Sequence, residues 1–256
     1  MLSRITETIN STIVDYKKTN QLDNLWKDPI IEVLPAELPE ILALKEIISS
    51  THFLPGDILP GAKSIVCFFI PFQENIIQSN LNGIMASEEW ALAYVRTNDL
   101  IKSINDNIEA LMIKNGYKAG KIKATHNFDV NKLISNWSHR HIACIAGIGT
   151  FGMNNMLITK NGCCGRIGSL ILNYQFDDYK PVKKTNEKCL KKLNGSCGIC
   201  QKKCVVNAYE NNSFNRHKCY EHCKKNAEYH KKIGLVDICG KCLVGLPCSM
   251  KEPSQE

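Results

Sequence analysis

Residues Asn186 to Tyr209 read NEKCLKKLNGSCGICQKKCVVNAY, with Cys197, Cys200 and Cys204 at C-x2-C-x3-C and Cys189 eight residues before the first of them. Working outward, FNRHKCYEHC adds Cys219 and Cys223, and DICGKCLVGLPC adds Cys239, Cys242 and Cys248. Nine of the 13 cysteines of this 256-residue chain therefore fall between Cys189 and Cys248, and only Cys67, Cys144, Cys163 and Cys164 precede them. A chain of this length with 44% hydrophobic residues can bury a full core and does not need disulfides to fold. The N-terminus, MLSRITETINSTIVDYKK, has no apolar block of signal-peptide type, and no stretch reaches the roughly 18 apolar residues of a membrane helix. A cytoplasmic protein is expected, and in a reducing compartment a dense thiol set points to metal rather than to disulfides.

The bacterial ferredoxin run is C-x2-C-x2-C-x3-C-P, in which three thiolates hold one cubane and the fourth crosses to a second. Cys197, Cys200 and Cys204 match its last three positions. Asn194 stands where the first cysteine would be, so Cys189 must reach in over a longer loop, and Val205 replaces the proline. In the crossed arrangement of two-cluster ferredoxins, Cys189, Cys197, Cys200 and Cys248 would hold one 4Fe–4S cluster and Cys204, Cys219, Cys239 and Cys242 the other. Cys223 is left over and is the alternative to Cys219. A single zinc site on the pairs Cys197/Cys200 and Cys239/Cys242 would leave the remaining thiols without a task, and a disulfide framework suits the compartment least.

Charge follows the thiols. Residues 183–256 carry 15 Lys or Arg against 7 Asp or Glu, whereas the whole chain is only +7, so residues 1–182 are close to neutral. A cubane with four thiolates carries about −2, so part of this excess is counter-charge; the remainder suits an acidic electron donor or RNA. Residues 1–182 read as α/β. Leu2, Ile5, Ile9, Ile13 and Tyr16 recur at helical spacing, and SIVCFFIPF (Ser64 to Phe72) has the pattern of a strand covered on both faces. Leu100, Ile104, Ile108, Leu111 and Met112 stripe a long helix that starts at Ser87 and stops at Asn115-Gly116. KIKATHNF (Lys121 to Phe128) and SLILNYQF (Ser169 to Phe176) are strand candidates, and a helix carries Trp137 and Ile142. An α/β core over 1–182 and a cysteine module over 183–256 are expected.

Three stretches resemble the epoxyqueuosine reductase family and its relatives, the corrinoid reductive dehalogenases. ILPGAKSIVCFFIPF (Ile58 to Phe72) resembles the family's first core strand with its lead-in. RHIACIAGIGTFGMNNMLITKNGCCGRIGSLILN (Arg140 to Asn173) resembles its A-G-L-G-x-x-G-K-x-x-L-L-I-T stretch. GSCGICQKKCVVNAY, with FNRHKC and DICGKC, resembles its two-cluster module. The resemblance spans most of Leu59 to Cys248. It implies an α+β protein: a nitroreductase-like α/β core of the cobalamin-binding type followed by a ferredoxin-like module with two 4Fe–4S clusters. It further implies an oxidoreductase that takes single electrons from a ferredoxin or flavodoxin and passes them to a bound corrinoid, for reductive chemistry on a small or tRNA-borne substrate. Gly147, Gly149 and Gly152 would be the points where backbone approaches the corrinoid, with Met153 and Asn154 beside them, and Asp129 would be the proton donor.

The sequence also departs from the family. Met153 stands where the family often has a basic residue at the tetrapyrrole edge, and Asp129 does not match the family's spacing for its catalytic aspartate. The sequence runs eight residues past Cys248 without the helical repeats that help such enzymes hold tRNA, so a short form is expected. An electron-transfer protein or corrinoid-protein activator with no substrate of its own is the alternative. GIGTFG has dinucleotide-loop spacing but does not follow a first strand, which sets a nicotinamide reading aside. Cys67 and Cys144 are expected in the core and Cys163-Cys164 as small buried residues. His139 and His141 point too far apart around a helix to share a metal. His126 reads as a polar residue at a strand end, and Trp90, Tyr94 and Trp137 as core or pocket lining.

Overall fold

A computed structural model describes residues 1–22, 24–122, 128–177, 179, 186–210 and 213–254. Helix α1 (Leu2–Asn20) leads to strands β1 (Ile30–Pro35) and β2 (Ser64–Pro71), the long helix α2 (Glu88–Lys114) and strand β3 (Ala119–Lys121). Helix α3 (His139–Ile145), the hairpin of β4 (Gly149–Phe151) and β5 (Leu157–Thr159), strand β6 (Gly165–Leu172) and helix α4 (Arg216–Tyr229) follow. The central sheet has the order β1-β2-β6-β3 and every neighbouring pair is antiparallel, with Val66 opposite Val33 on one side and Leu170 on the other.

All eight residues of β2 are buried, as its unbroken apolar run requires. Side chains alternate across the sheet. Val66, Phe68 and Ile70 join a core with Ile5, Ile9 and Ile13 of α1 and with Leu100, Ile104 and Ile108 of α2. Ile65, Cys67 and Phe69 join a second core with Leu34, Ile41, Trp137 and Ile142. The α1 stripe begins at Ile5, because Leu2 is 42% exposed. Helix α2 starts where Ser87 Oγ accepts from Trp90 N at 3.1 Å, and it ends at Gly116 in the left-handed region, φ +79°.

Two strand expectations change. Of KIKATHNF, only Lys121 lies in the edge strand β3; 123–127, including His126, lie outside the described residues, and Phe128–Asp129 pairs instead with Ile134–Ser135. The strand expected over Ser169–Phe176 runs Gly165–Leu172, earlier by four residues. Cys144 is half-buried rather than core.

The expected domain boundary at 182/183 lies outside the described residues. The two halves share one core: Cys189, Leu243 and Val244 belong to the same buried cluster as the α1 and α2 residues. The loop before α2 is held by the C-terminal half. Ala86 N donates to Asn226 Oδ1 at 2.7 Å, and the rings of His222 and His230 meet the carbonyls of Ile84 and Ala86 at 3.0 and 2.8 Å. Asn80 Nδ2 donates to the Cys239 carbonyl, and the buried Lys241 Nζ donates to the carbonyls of Asn80 (3.0 Å) and Asn82 (2.6 Å). Among the described residues no helix is long and apolar enough to cross a membrane.

Candidate cofactor and substrate site

Cys189, Cys197, Cys200 and Cys248 line one pocket together with Gly152, Met153 and Asn154. Burial pushes the Cys200 thiol up to about 11, and repulsion from Cys248, Cys189 and Cys197 adds to it. Cys248 is pushed up first by its hydrogen bond with the Cys163 thiol and then by burial. Cys204, Cys219, Cys239 and Cys242 form a second set. Burial raises Cys239 to about 11 and Cys242 further, with Cys219 and Cys204 adding repulsion at both. Cys223 lies one helical turn beyond Cys219 on α4, and their shared hydrogen bond holds Cys219 down and pushes Cys223 up.

Among the described residues no three His, Cys, Asp or Glu side chains stand in metal-holding geometry. The thiols instead bond to neighbours, Cys248 to Cys163 and Cys219 to Cys223. The donor chemistry nevertheless fits iron–sulfur clusters: eight soft sulfur donors, without an imidazole, in two sets of four. Cys163 and Cys164 are fully buried against this region. Their thiols reach the Leu243 carbonyl at 3.8 and 3.2 Å, and Cys163 N donates to the Cys248 carbonyl at 2.8 Å.

The glycine segment divides by task. Gly147, at φ +77°, ends α3: its N–H bonds the Cys144 carbonyl and Ile148 N bonds that of Ala143. Gly149 lets β4 meet β5, since a Cβ there would stand 2.4 Å from the Ile158 carbonyl oxygen. Gly152 and Met153 form the wall between the first thiol pocket and a large cavity and line both. Asn154 faces the thiols, with Nδ2 donating to the Cys242 carbonyl at 3.3 Å and to Cys163 Sγ at 3.7 Å. Asp129 is exposed, and its Oδ1 accepts from the N–H groups of Asn131 and Lys132 at 2.8 and 3.0 Å, which holds its carboxyl below the usual range.

The large cavity measures about 680 Å³. Apolar residues such as Ile47, Phe151 and Met153 alternate on its wall with Ser138, Asn155 and Gln201, a mixture that suits a large flat ligand with a polar rim. A second chamber of about 400 Å³ shares Ser135, Ser138, Arg140 and Arg216 with it and is also lined by Tyr94, Asp237, Cys219 and Cys223. Tyr94 donates to Asp237 Oδ1 at 2.7 Å, the Arg166 guanidinium stacks 4.5 Å from its ring, and burial pushes its hydroxyl up to about 12. Behind this wall Ser169 Oγ accepts from Trp137 Nε1 at 3.0 Å and lies 2.7 Å from His139 Nδ1. Tyr94 lies in the second turn of α2 among core residues; its sequence reads as core or pocket lining, and the structure places its hydroxyl on this wall.

No family model and no curated protein matches the chain. Solved structures do. The epoxyqueuosine reductase of Bacillus subtilis is 18% identical, with a TM-score of 0.54 over 96% of this chain and 68% of its own. An epoxyqueuosine reductase solved with an epoxyqueuosine-modified tRNA-Tyr stem loop is 20% identical, with a TM-score of 0.54 over 96% of this chain and 68% of its own. A reductive dehalogenase whose structure suggests a mechanism for B12-dependent dehalogenation is 15% identical, with a TM-score of 0.55 over 88% of this chain and 30% of its own. The chain thus has the mixed α/β fold of epoxyqueuosine reductases and corrinoid reductive dehalogenases, the neighbours expected from the three sequence stretches.

Proposed function

We propose that this chain is a cytoplasmic iron–sulfur reductase of the epoxyqueuosine reductase type. Cys189, Cys197, Cys200 and Cys248 would hold one 4Fe–4S cluster, Cys204, Cys219, Cys239 and Cys242 a second, and the cavity beside Gly152 and Met153 would take a corrinoid. The observation that supports this reading is the shared wall: Gly152 and Met153 border the first thiol set on one side and the large cavity on the other, while Cys219 opens onto the adjoining chamber. When bound, the clusters supply electrons one at a time and the corrinoid supplies the reducing metal centre.

The protein's own residues bury the thiols, exclude water and deliver a proton. Tyr94 keeps its proton at neutral pH and holds it on the chamber wall, with Asp237 fixing its orientation. Asp129 would have to leave its turn to compete for that role. The lysine surplus of residues 183–256 suits an acidic ferredoxin or flavodoxin as donor, and the substrate is a small molecule or a base carried on tRNA. Asp129's exposure favours the second reading, an electron-transfer protein or corrinoid-protein activator without its own substrate.

Anaerobic metal analysis tests the proposal. Two cubanes give about eight iron and eight sulfide per chain with a broad visible shoulder. Added cobalamin should stay with the protein through gel filtration. Zinc without iron and sulfide would sink the reading.

A further inference from the structure

Cys163 and Cys164 belong to neither thiol set, yet both are fully buried against the first. The backbone lays them there. Cys163 N donates to the Cys248 carbonyl at 2.8 Å and Cys164 N to that of Ser249 at 3.3 Å. Gly162 permits the approach: its φ is +82°, and a Cβ there would stand 2.3 Å from the Ser249 carbonyl oxygen. Neither cysteine borders the pocket that Cys189, Cys197, Cys200 and Cys248 line, so Cys163 stands behind Cys248 rather than among the four.

The Cys163 and Cys248 thiols share a hydrogen bond, and the hydrogen on Cys163 has few competing acceptors. The Leu243 carbonyl has two lone pairs, which Ser249 Oγ reaches at 2.7 Å and Cys164 Sγ at 3.2 Å; Cys163 Sγ is third, at 3.8 Å. Asn154 Nδ2 donates towards Cys163 Sγ at 3.7 Å, a contact that uses a sulfur lone pair and not the thiol hydrogen. Cys164 Sγ is the remaining neighbour, and it is a neutral acceptor. Cys248 bound to iron is a thiolate, which only accepts and which attracts a hydrogen more strongly than a neutral thiol does.

We propose that Cys163 is a positioning residue for the first cluster: its thiol donates an S–H···S bond to Cys248 on the side away from the pocket and stabilises the reduced cluster. This rests on the reductase reading above. Reduction adds negative charge to the cluster and its sulfurs, so a donor held at one of them favours the reduced form and raises the midpoint. The first set shares Gly152 and Met153 with the large cavity, so the bond favours the electron's arrival at that end of the module.

Potentiometry followed by electron paramagnetic resonance, on the full-length protein loaded with its clusters, tests this. Cys163→Ala should make one midpoint more negative by about 28 mV or more, the one-electron equivalent of an about threefold change at about 59 mV per tenfold. The other midpoint and the iron content should stay as they are. Cys163→Ser restores a donor and should move the midpoint back towards the wild type. Cys164→Ala removes the same volume next door with the donor still in place, so neither midpoint should move. In the unsubstituted protein, infrared difference spectra should show an S–H band shifting to lower wavenumber on reduction, and Cys163→Ala should lack it.

An unmoved midpoint in Cys163→Ala, or equal shifts in Cys163→Ala and Cys164→Ala, overturns the proposal, and so does an S–H region indifferent to reduction. Loss of about four iron from Cys163→Ala with the melting temperature kept would make Cys163 a ligand and overturn it as well. Iron and sulfide content keeps the two readings apart. Unsubstituted protein without clusters overturns the reductase reading and this proposal together, whereas a full complement with an unmoved midpoint overturns this proposal alone.

Discussion

Tyr94 donates its hydroxyl hydrogen to Asp237 Oδ1 across 2.7 Å, which ties α2 to the loop that leads into Cys239. Tyr94→Phe keeps the ring under Arg166 and removes the hydroxyl with its bond to Asp237. With an epoxyqueuosine-bearing stem loop as substrate, turnover should fall by about 10²- to 10⁴-fold while iron content stays constant. Unchanged turnover would move the proton source elsewhere.

His141 is held neutral. Burial, then Arg140 and His52, push its pKa down to about 4, and Ser138 Oγ lies 2.7 Å from its Nδ1. A lowered histidine pKa means that the unfolded chain takes up the proton first. Stability should therefore decline as pH falls from about 6.5 to about 4. His141→Gln should flatten that decline in urea midpoints measured across the range, and an unaltered slope would assign it to other groups.

Gly240, between Cys239 and Lys241, has φ +76°, and a Cβ there would lie 2.5 Å from the Trp90 ring. Strain and overlap both oppose any larger residue. Gly240→Ala is expected to lower unfolding free energy by about 1–3 kcal/mol and to reduce iron incorporation at Cys239 and Cys242. Denaturant titration together with iron analysis checks both effects.

Lys241 is 3% exposed and among the described residues bonds the backbone carbonyls of Asn80 and Asn82, with its charge beside Cys239 of the second thiol set. Lys241→Met keeps much of the volume and removes the charge. The nearby cluster should become harder to reduce, seen as a more negative midpoint in potentiometry followed by electron paramagnetic resonance. The melting temperature should also fall, because two buried carbonyls lose their donor. An unmoved midpoint would mean that the ammonium only pins the loop.

What the sequence discloses depends on how far apart the cooperating residues lie. The grouping of the thiols was legible because local spacing placed Cys197, Cys200 and Cys204 in a recognisable run, and the structure brings Cys189, Cys197, Cys200 and Cys248 to one pocket. The core of β2 was legible from an unbroken apolar stretch, and α2 from its stripe and cap. Gly147 and Gly149 were harder: a glycine needed to end a helix or admit a neighbouring strand looks, in one dimension, like one that makes room for a ligand. The charged part of the cavity wall was not legible, and Tyr94 could be read only as core or pocket lining, since Tyr94, Arg140, Arg166, Lys192 and Arg216 come from five elements that meet only in the folded chain.

Leu243 and Val244 are packed into the same core as α1 and α2, and Lys241, Asn226 and His230 grip the loop that precedes α2. The cysteine-bearing half is therefore not a cassette that could be excised, transplanted onto another scaffold or expressed by itself as a small electron carrier. It supplies one side of the chambers and part of the scaffolding for the other half. On the reading proposed above, disorder among its thiols would deform the neighbouring chambers, so metal assembly and the shape of the cavity would fail together.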